Sequence, residues 1–100
     1  MTNYRLSHRA GADLESIAEY GYSRFGADRA HAYYQGLVLQ LKQIALTPLR
    51  YPSVEDIRPG YRRCVYKSHS IYYTVGEEVV LIIRVLGAQD VDNSFPSEGS

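Results

Sequence analysis

Between Ser7 and Thr47 the apolar residues return at helical spacing; beyond residue 60 they do not. This change of period constrains the fold more than any other feature of the chain. In the first stretch Ala10, Leu14, Ile17, Ala18, Gly21 and Phe25 share one helical face, with Asp13, Glu15, Glu19 and Arg24 elsewhere. Ser7 can accept a hydrogen bond at the open end of such a helix. The spacing predicts a helix over about 8–24, stopped by Gly26, which takes a left-handed cap cheaply. Asp28 is expected to open a second helix striped by Ala30, Tyr34, Leu37, Val38, Leu41 and Ala45, with Ile44 beside the stripe. Thr47-Pro48 ends it, because the residue before proline disfavours the helical region. Two such helices joined by about three residues form an antiparallel hairpin.

Pro48, Pro52 and Pro59 punctuate a loop over about 47–59. Strands are expected at 61–67 and 69–75, linked through Ser68. A turn at Gly76-Glu77 leads to a third strand at 78–86, EVVLIIRVL, whose continuous apolar run suits a central position. Alternating character at 3–7 adds a short first strand. The order is β-α-α-β-β-β, an α+β fold with a helical hairpin packed on one face of a small, mainly antiparallel sheet. The other face of the sheet, or the groove along the hairpin, is left for function. Residues 1–100 are long enough for one domain. After Leu86 the chain turns polar (GAQDVDNSFPSEGS), and about 92–100 reads as a mobile tail from which Phe95 docks.

Charge and cysteine usage exclude several classes. Formal net charge is +0, so no global field draws the protein to nucleic acid or membrane. The basic residues cluster, with Arg50, Arg58, Arg62, Arg63 and Lys67 close together and only Glu55 and Asp56 among them. One cysteine, Cys64, makes no internal disulfide and, with three scattered histidines, no zinc-ligand spacing. No metal or cofactor is expected. Neither a membrane-length apolar run nor a signal segment is visible, and the chain is expected in the cytoplasm. Ten tyrosines stand beside two phenylalanines and no tryptophan. Tyrosine suits surfaces that are half-buried or meet a partner.

These pieces together resemble the ParE toxins of the RelE/ParE toxin–antitoxin superfamily. The resemblance is carried by YRLS at 4–7, Ala10, Asp13-Leu14, Ile17, Tyr20, Gly26, Ala30, Tyr34 and Thr47-Pro48. RPGYRR at 58–63, HSIYY at 69–73 and IIRVL at 82–86 complete it. It implies a toxin that inhibits DNA gyrase by protein–protein binding, stalling it with cleaved DNA. It also implies a ParD-like antitoxin whose tail folds along the toxin's helices and sheet. ParE-like chains commonly continue Arg-Val-Leu with histidine; here Gly87 follows Leu86, while Asp90 is kept.

Each candidate residue has a plainer reading beside it. RelE-type cleavage of mRNA on the ribosome needs a base, cations for the phosphorane and a proton donor. The segment 87–92 (GAQDVD) has no Lys, Arg, His or Tyr and carries two acids. The chain is therefore read as a non-enzyme, with RelE-type cleavage and a non-toxic antitoxin binder as the alternatives. Cys64 shares a strand face with Arg62 and Tyr66 and is expected to be structural; His69 is expected to bond locally at its turn. Arg62 and Arg63 point to opposite faces, one bracing the core edge or pairing with an acid such as Glu19. Arg84, set in an apolar strand, must pair or lie at an open face. With Arg58 and Arg62 it would make a cationic patch. Target contacts are placed at Arg58, Arg62, Arg84, Asp90 and Phe95, and antitoxin contacts at Tyr33, Tyr34, Tyr61, Arg63 and Tyr72. Direct, autonomous binding of nucleic acid is not expected at zero net charge.

Truncation after Leu86 should abolish growth arrest while antitoxin binding survives, since the hairpin is untouched. Co-purification of the truncated chain with its antitoxin measures the second half; loss of both would make the tail part of the fold.

Overall fold

A computed structural model describes residues 3–87. The elements are β1 (Tyr4–Leu6), α1 (His8–Phe25), α2 (Ala27–Leu46), a 3-10 turn (Pro48–Arg50), β2 (Arg62–Tyr66), β3 (His69–Val75) and β4 (Val80–Gly87). The sheet order is β1-β4-β3-β2, with β1 parallel to β4 and the other pairs antiparallel. This is the expected α+β architecture, with the apolar strand β4 inside the sheet. The expected tail, including Asp90 and Phe95, lies outside the described residues.

Ser7 caps α1 as its chemistry suggests, accepting from the Ala10 N–H at 2.9 Å. The link between the helices is shorter than expected. Gly26 alone, at φ +87°, ends α1 through its N–H to the Tyr22 carbonyl and begins α2. Asp28 is therefore not the cap. It lies in the first turn of α2, where a carboxylate still favours the positive end of the helix dipole. Gly21 lets the helices approach closely, since a Cβ there would meet the Ala30 Cβ at 3.4 Å. The final turn is also longer: the Gly76 N–H closes onto the Val79 carbonyl at 2.9 Å, so β4 starts at Val80 and Glu78 belongs to the turn.

The helices cover one face of the sheet. Ala10, Leu14, Leu37, Leu41 and Ile44 meet Cys64, Ile71, Tyr73, Val80, Ile82 and Val85 in one cluster. Phe25, placed on the α1 stripe by periodicity, is instead half exposed beyond the sheet's end. The opposite face is not left open as expected. The proline-punctuated loop folds back on it, and Val54, with Ile57 and Tyr61, packs on Tyr72 and Leu86. The loop is pinned by the Val54 N–H to the Tyr61 carbonyl (2.8 Å) and by the Glu55 carboxylate accepting from the Gly60 N–H (2.9 Å). Both faces of β3 are thereby used: Ile71 and Tyr73 point to the helices and Tyr72 to the loop.

The register shifts between Tyr72, opposite Arg84, and Tyr73, opposite Ile82. Ile83 is thus the extra residue of a β-bulge, which re-aims the side chains beyond it. Among the described residues, no helix is long and apolar enough to cross a membrane.

Tyr73 is wholly buried and donates its hydroxyl to the Pro48 carbonyl at 2.5 Å. Burial is the main cause that pushes its pKa from 10.0 to about 12. Because the folded value is the higher one, this group's contribution to stability is complete below pH 10 and is lost as pH rises toward about 12. Tyr73→Phe should cost about 1 kcal/mol at neutral pH and flatten the loss of stability in that alkaline window. Denaturant melts against pH check both.

Candidate functional site

At the end of the hairpin the two helices overhang the sheet and enclose a groove of about 650 Å³. Its walls are Ile17, Tyr20 and Phe25 of α1, Arg29, Tyr33 and Tyr34 of α2, and Ser68, His69 and Gly87 at the sheet's end. The groove is aromatic and wet-edged. Tyr20 and Phe25 meet edge to face at 6.4 Å, and the Arg29 guanidinium stands 5.2 Å over the Phe25 ring. Tyr20 is 61 % exposed and Phe25 50 %, an unusual amount of aromatic surface for one helix end.

The floor of this end is held by Tyr33. Its hydroxyl is 2.7 Å from Nδ1 of His69 and 3.2 Å from the Ser68 hydroxyl. The Tyr33 ring meets Tyr66 and His69 edge-on at 5.4 and 5.6 Å. Lys67, at φ +51° in the β2–β3 turn, places its ammonium 5.8 Å over Tyr33 and 5.5 Å over Tyr66. Tyr66 in turn lies on the α2 backbone at Gly36, where any Cβ would overlap its hydroxyl. His69 therefore bonds across to α2 as well as locally to Ser68, a correction to the purely local role expected. Cys64 is buried, and the Gln40 amide donates to its sulfur at 3.3 Å. Burial raises the Cys64 pKa, which disfavours a nucleophilic thiolate. Among the described residues, no group of three or more His, Cys, Asp or Glu is placed to hold a metal.

The arginines are engaged in the fold. Arg84 makes a two-pronged bond to Asp13, with Nε at 2.7 Å and an Nη at 2.9 Å. The same carboxylate accepts the Val85 N–H at 3.0 Å, and each side chain of the pair is only 15 % exposed. Arg62 donates to the Tyr51 carbonyl at 2.6 Å, not to Glu19, and so braces the loop at the core edge. Arg62 on β2 and Arg84 on β4 thus serve different neighbours, with β3 between them. Arg58 sits half-buried in the loop, its carbonyl accepting from the Tyr61 N–H at 3.2 Å. Arg63, Tyr72 and Arg84 do lie in one row across β2, β3 and β4. Tyr72, however, is wholly enclosed beneath Val54 and Leu86 and offers no contact surface, because the loop covers the face expected to be open. Tyr61 belongs to the same cluster, while Tyr33 and Tyr34 line the groove. Sequence reasoning passes over Asp13, whose partners are seventy residues away, and over Tyr20 and Phe25, whose exposure depends on how far the helices overhang.

The chain matches the family model for the ParE toxin of the type II toxin–antitoxin system parDE over residues 4–91. It belongs to the ParE toxin family. The toxin ParE1 of Caulobacter vibrioides is 44 % identical over 86 residues, 86 % of this chain and 88 % of that protein. The toxin ParE1 of Mycobacterium tuberculosis is 37 % identical over 96 residues, 94 % of this chain and 98 % of that one. Among solved structures, a chain of the chromosomal ParDE system of P. aeruginosa superposes with a TM-score of 0.76. It is 21 % identical, and the match covers 87 % of this chain and 96 % of that one. A conserved hypothetical protein of Helicobacter pylori shares the fold at a TM-score of 0.58 and 16 % identity, covering 89 % and 97 %. In this ParE-family chain the residues that carry the resemblance are largely structural: Asp13 with the β4 arginine, Gly26 at the helix link and Pro48 under Tyr73.

Asp13→Ala should destabilise the fold by about 2–3 kcal/mol, since it removes the carboxylate that a largely buried guanidinium and a strand N–H share. That corresponds to a fall on the order of 10–20 °C in Tm for a domain this size. Arg84→Ala should cost less, because the Val85 N–H keeps its acceptor. Equal losses in thermal melts would show that the ion pair alone matters.

Proposed function

We propose that this ParE-family toxin acts by binding rather than by catalysis. Its target is DNA gyrase, held with its DNA cleaved, and a ParD-like antitoxin neutralises it in the cytoplasm. The observation that carries the binding reading is the aromatic groove between the overhanging helices. Such a groove takes the apolar face of an amphipathic helix, with large side chains entering between Tyr20, Phe25 and Tyr34. Tyr33 and Tyr34 are the antitoxin contacts within it; Tyr61 and Arg63 lie on the path of a tail continuing over the sheet. The side chains a nucleolytic mechanism would recruit from this end of the sheet, Tyr33, Lys67 and His69, are held in one another's company.

Gyrase as target rests on family kinship, and its contacts are assigned to Arg58, Arg62, Arg84 and, beyond the described residues, Asp90 and Phe95. With Arg84 taken by Asp13, its share in toxicity is to hold the end of β4 in place. Gly87, where the family pattern has histidine, favours a second reading in which the chain binds its antitoxin but has lost toxicity.

The deciding experiment adds purified protein to DNA gyrase with supercoiled plasmid and ATP and resolves the DNA under denaturing conditions. Linear DNA joined to gyrase is expected, and prior addition of antitoxin should suppress it. Intact plasmid together with normal growth on expression would sink the gyrase reading and leave the silent member. Intact plasmid with growth arrest would move the target elsewhere, with cut transcripts reviving the ribosomal one.

A further inference from the structure

The loop before β2 pairs with the outer edge of that strand only in part. The Val54 N–H bonds the Tyr61 carbonyl and the Arg63 N–H bonds the Pro52 carbonyl at 3.0 Å, around a bridge between Ser53 and Arg62. The backbone of Arg63 therefore faces outward, and by the two-residue period of a strand so does that of Val65. Pairing stops at Pro52, which has no N–H to give the Arg63 carbonyl. Val65 bonds nothing through its backbone on that side among the described residues, and its side chain is 62 % exposed. Native sheets usually cover or blunt such an edge.

Beyond its first turn α2 carries no acid, and β2 and β3 carry none; Glu55 and Asp56 lie in the loop at the start of β2. From 29 to 54 and again from 57 to 76 the sequence contains no aspartate or glutamate. Those stretches supply α2 beyond Asp28 and all of β2 and β3. They carry Arg50, whose charge acts on Cys64, Arg63 on β2 and Lys67 in the turn after it. The contacts of Gly36 with Tyr66 and Gln40 with Cys64 set α2 over β2. At 100° per residue this turns Leu39 away from α1, over the open edge. Leu39 is 64 % exposed.

We infer that the edge of β2 from Arg63 to Lys67 accepts an added strand from a partner, an extended segment in which carboxylate and apolar residues alternate. The added backbone takes the Arg63 carbonyl and both Val65 groups. Its apolar side chains lie on the α2 face and cover Leu39, and its carboxylates on the opposite face meet Arg63 beside Val65, with Lys67 adding positive charge at the turn. This site is separate from the groove and holds whatever the toxin's target is.

The test follows amide hydrogen exchange in the isotope-labelled full chain with a blocked peptide of alternating glutamate and valine. The Val65 amide is expected to slow roughly tenfold at saturation, the ratio set by peptide concentration over Kd. A lysine–valine peptide should leave it unchanged. Val65→Pro leaves no amide to follow at that position, so its peptide affinity is read by calorimetric titration; it should fall roughly tenfold or more with the far-UV spectrum unchanged, because an outward-facing N–H at a sheet edge is where proline is tolerated. Should that variant fail to fold, Arg63→Glu with Lys67→Glu replaces it, and preference should pass to the lysine peptide. Unchanged exchange at Val65, equal protection by both peptides, protection confined to groove amides, or unchanged preference in the charge-reversed variant would each overturn the inference.

Discussion

The structure depends on how α1 closes the edge of β4. β1 pairs with β4 only from Tyr4 to Leu6, opposite Val80 to Ile82. Past that point the edge of a central, apolar strand would be bare. Ser7 supplies its N–H to the Ile82 carbonyl at 2.9 Å and its hydroxyl to the Ile83 carbonyl at 2.7 Å. Nearly two helical turns further on, Asp13 takes the Val85 N–H and the Arg84 guanidinium. The first turns of α1 thus replace a strand. A charge in this position is costly to desolvate, and the cost is offset because both carboxylate oxygens and both prongs of the guanidinium are matched.

Once α1 is fixed in this way, α2 is fixed with it. A one-residue link at Gly26 leaves α2 little freedom after α1 has docked, and the close crossing at Gly21 and Ala30 sets their spacing. The groove is the space left where the pair runs beyond the sheet. Its shape therefore traces to an ion pair near the other end of α1. A neutral chain meanwhile acquires an uneven surface: α1 and the loops carry most of the acids, and α2 after Asp28, β2 and β3 themselves carry none. For a ParE-family toxin that meets other proteins, such segregation supplies orientation more than affinity.

The tyrosines show how far a sequence reading reaches. Their abundance signals half-buried and partner-facing surface, and many of them are so used. Tyr34, Tyr51 and Tyr66 pack partly on the core, and Tyr20 and Tyr22 stand exposed. Tyr72 and Tyr73 are instead wholly enclosed, on opposite faces of one strand. Alternation predicts opposite faces for neighbours, but not that both faces are covered. That depended on the loop, where the prolines were visible as punctuation while Val54 and Ile57 gave no periodic signal. The same limit applies to Arg62. Its neighbours in sequence suggest a strand and an acid partner; its actual acceptor is the Tyr51 carbonyl, a group every residue carries and no sequence marks.

The sequence by itself determined the element order, the helical faces, the caps at Ser7 and Gly26, the central place of IIRVL and, through its motifs, the family. These are short-range matters of period, backbone preference and pattern, which a chain expresses locally. The tertiary structure alone decided that Asp13 takes Arg84, that His69 meets Tyr33, that the loop hides Tyr72 and that the β2 edge stays open beyond Pro52. Each of these joins groups brought together only by the packing of separate elements. Their energies depend on distance and burial, and neither exists until the helices dock on the sheet.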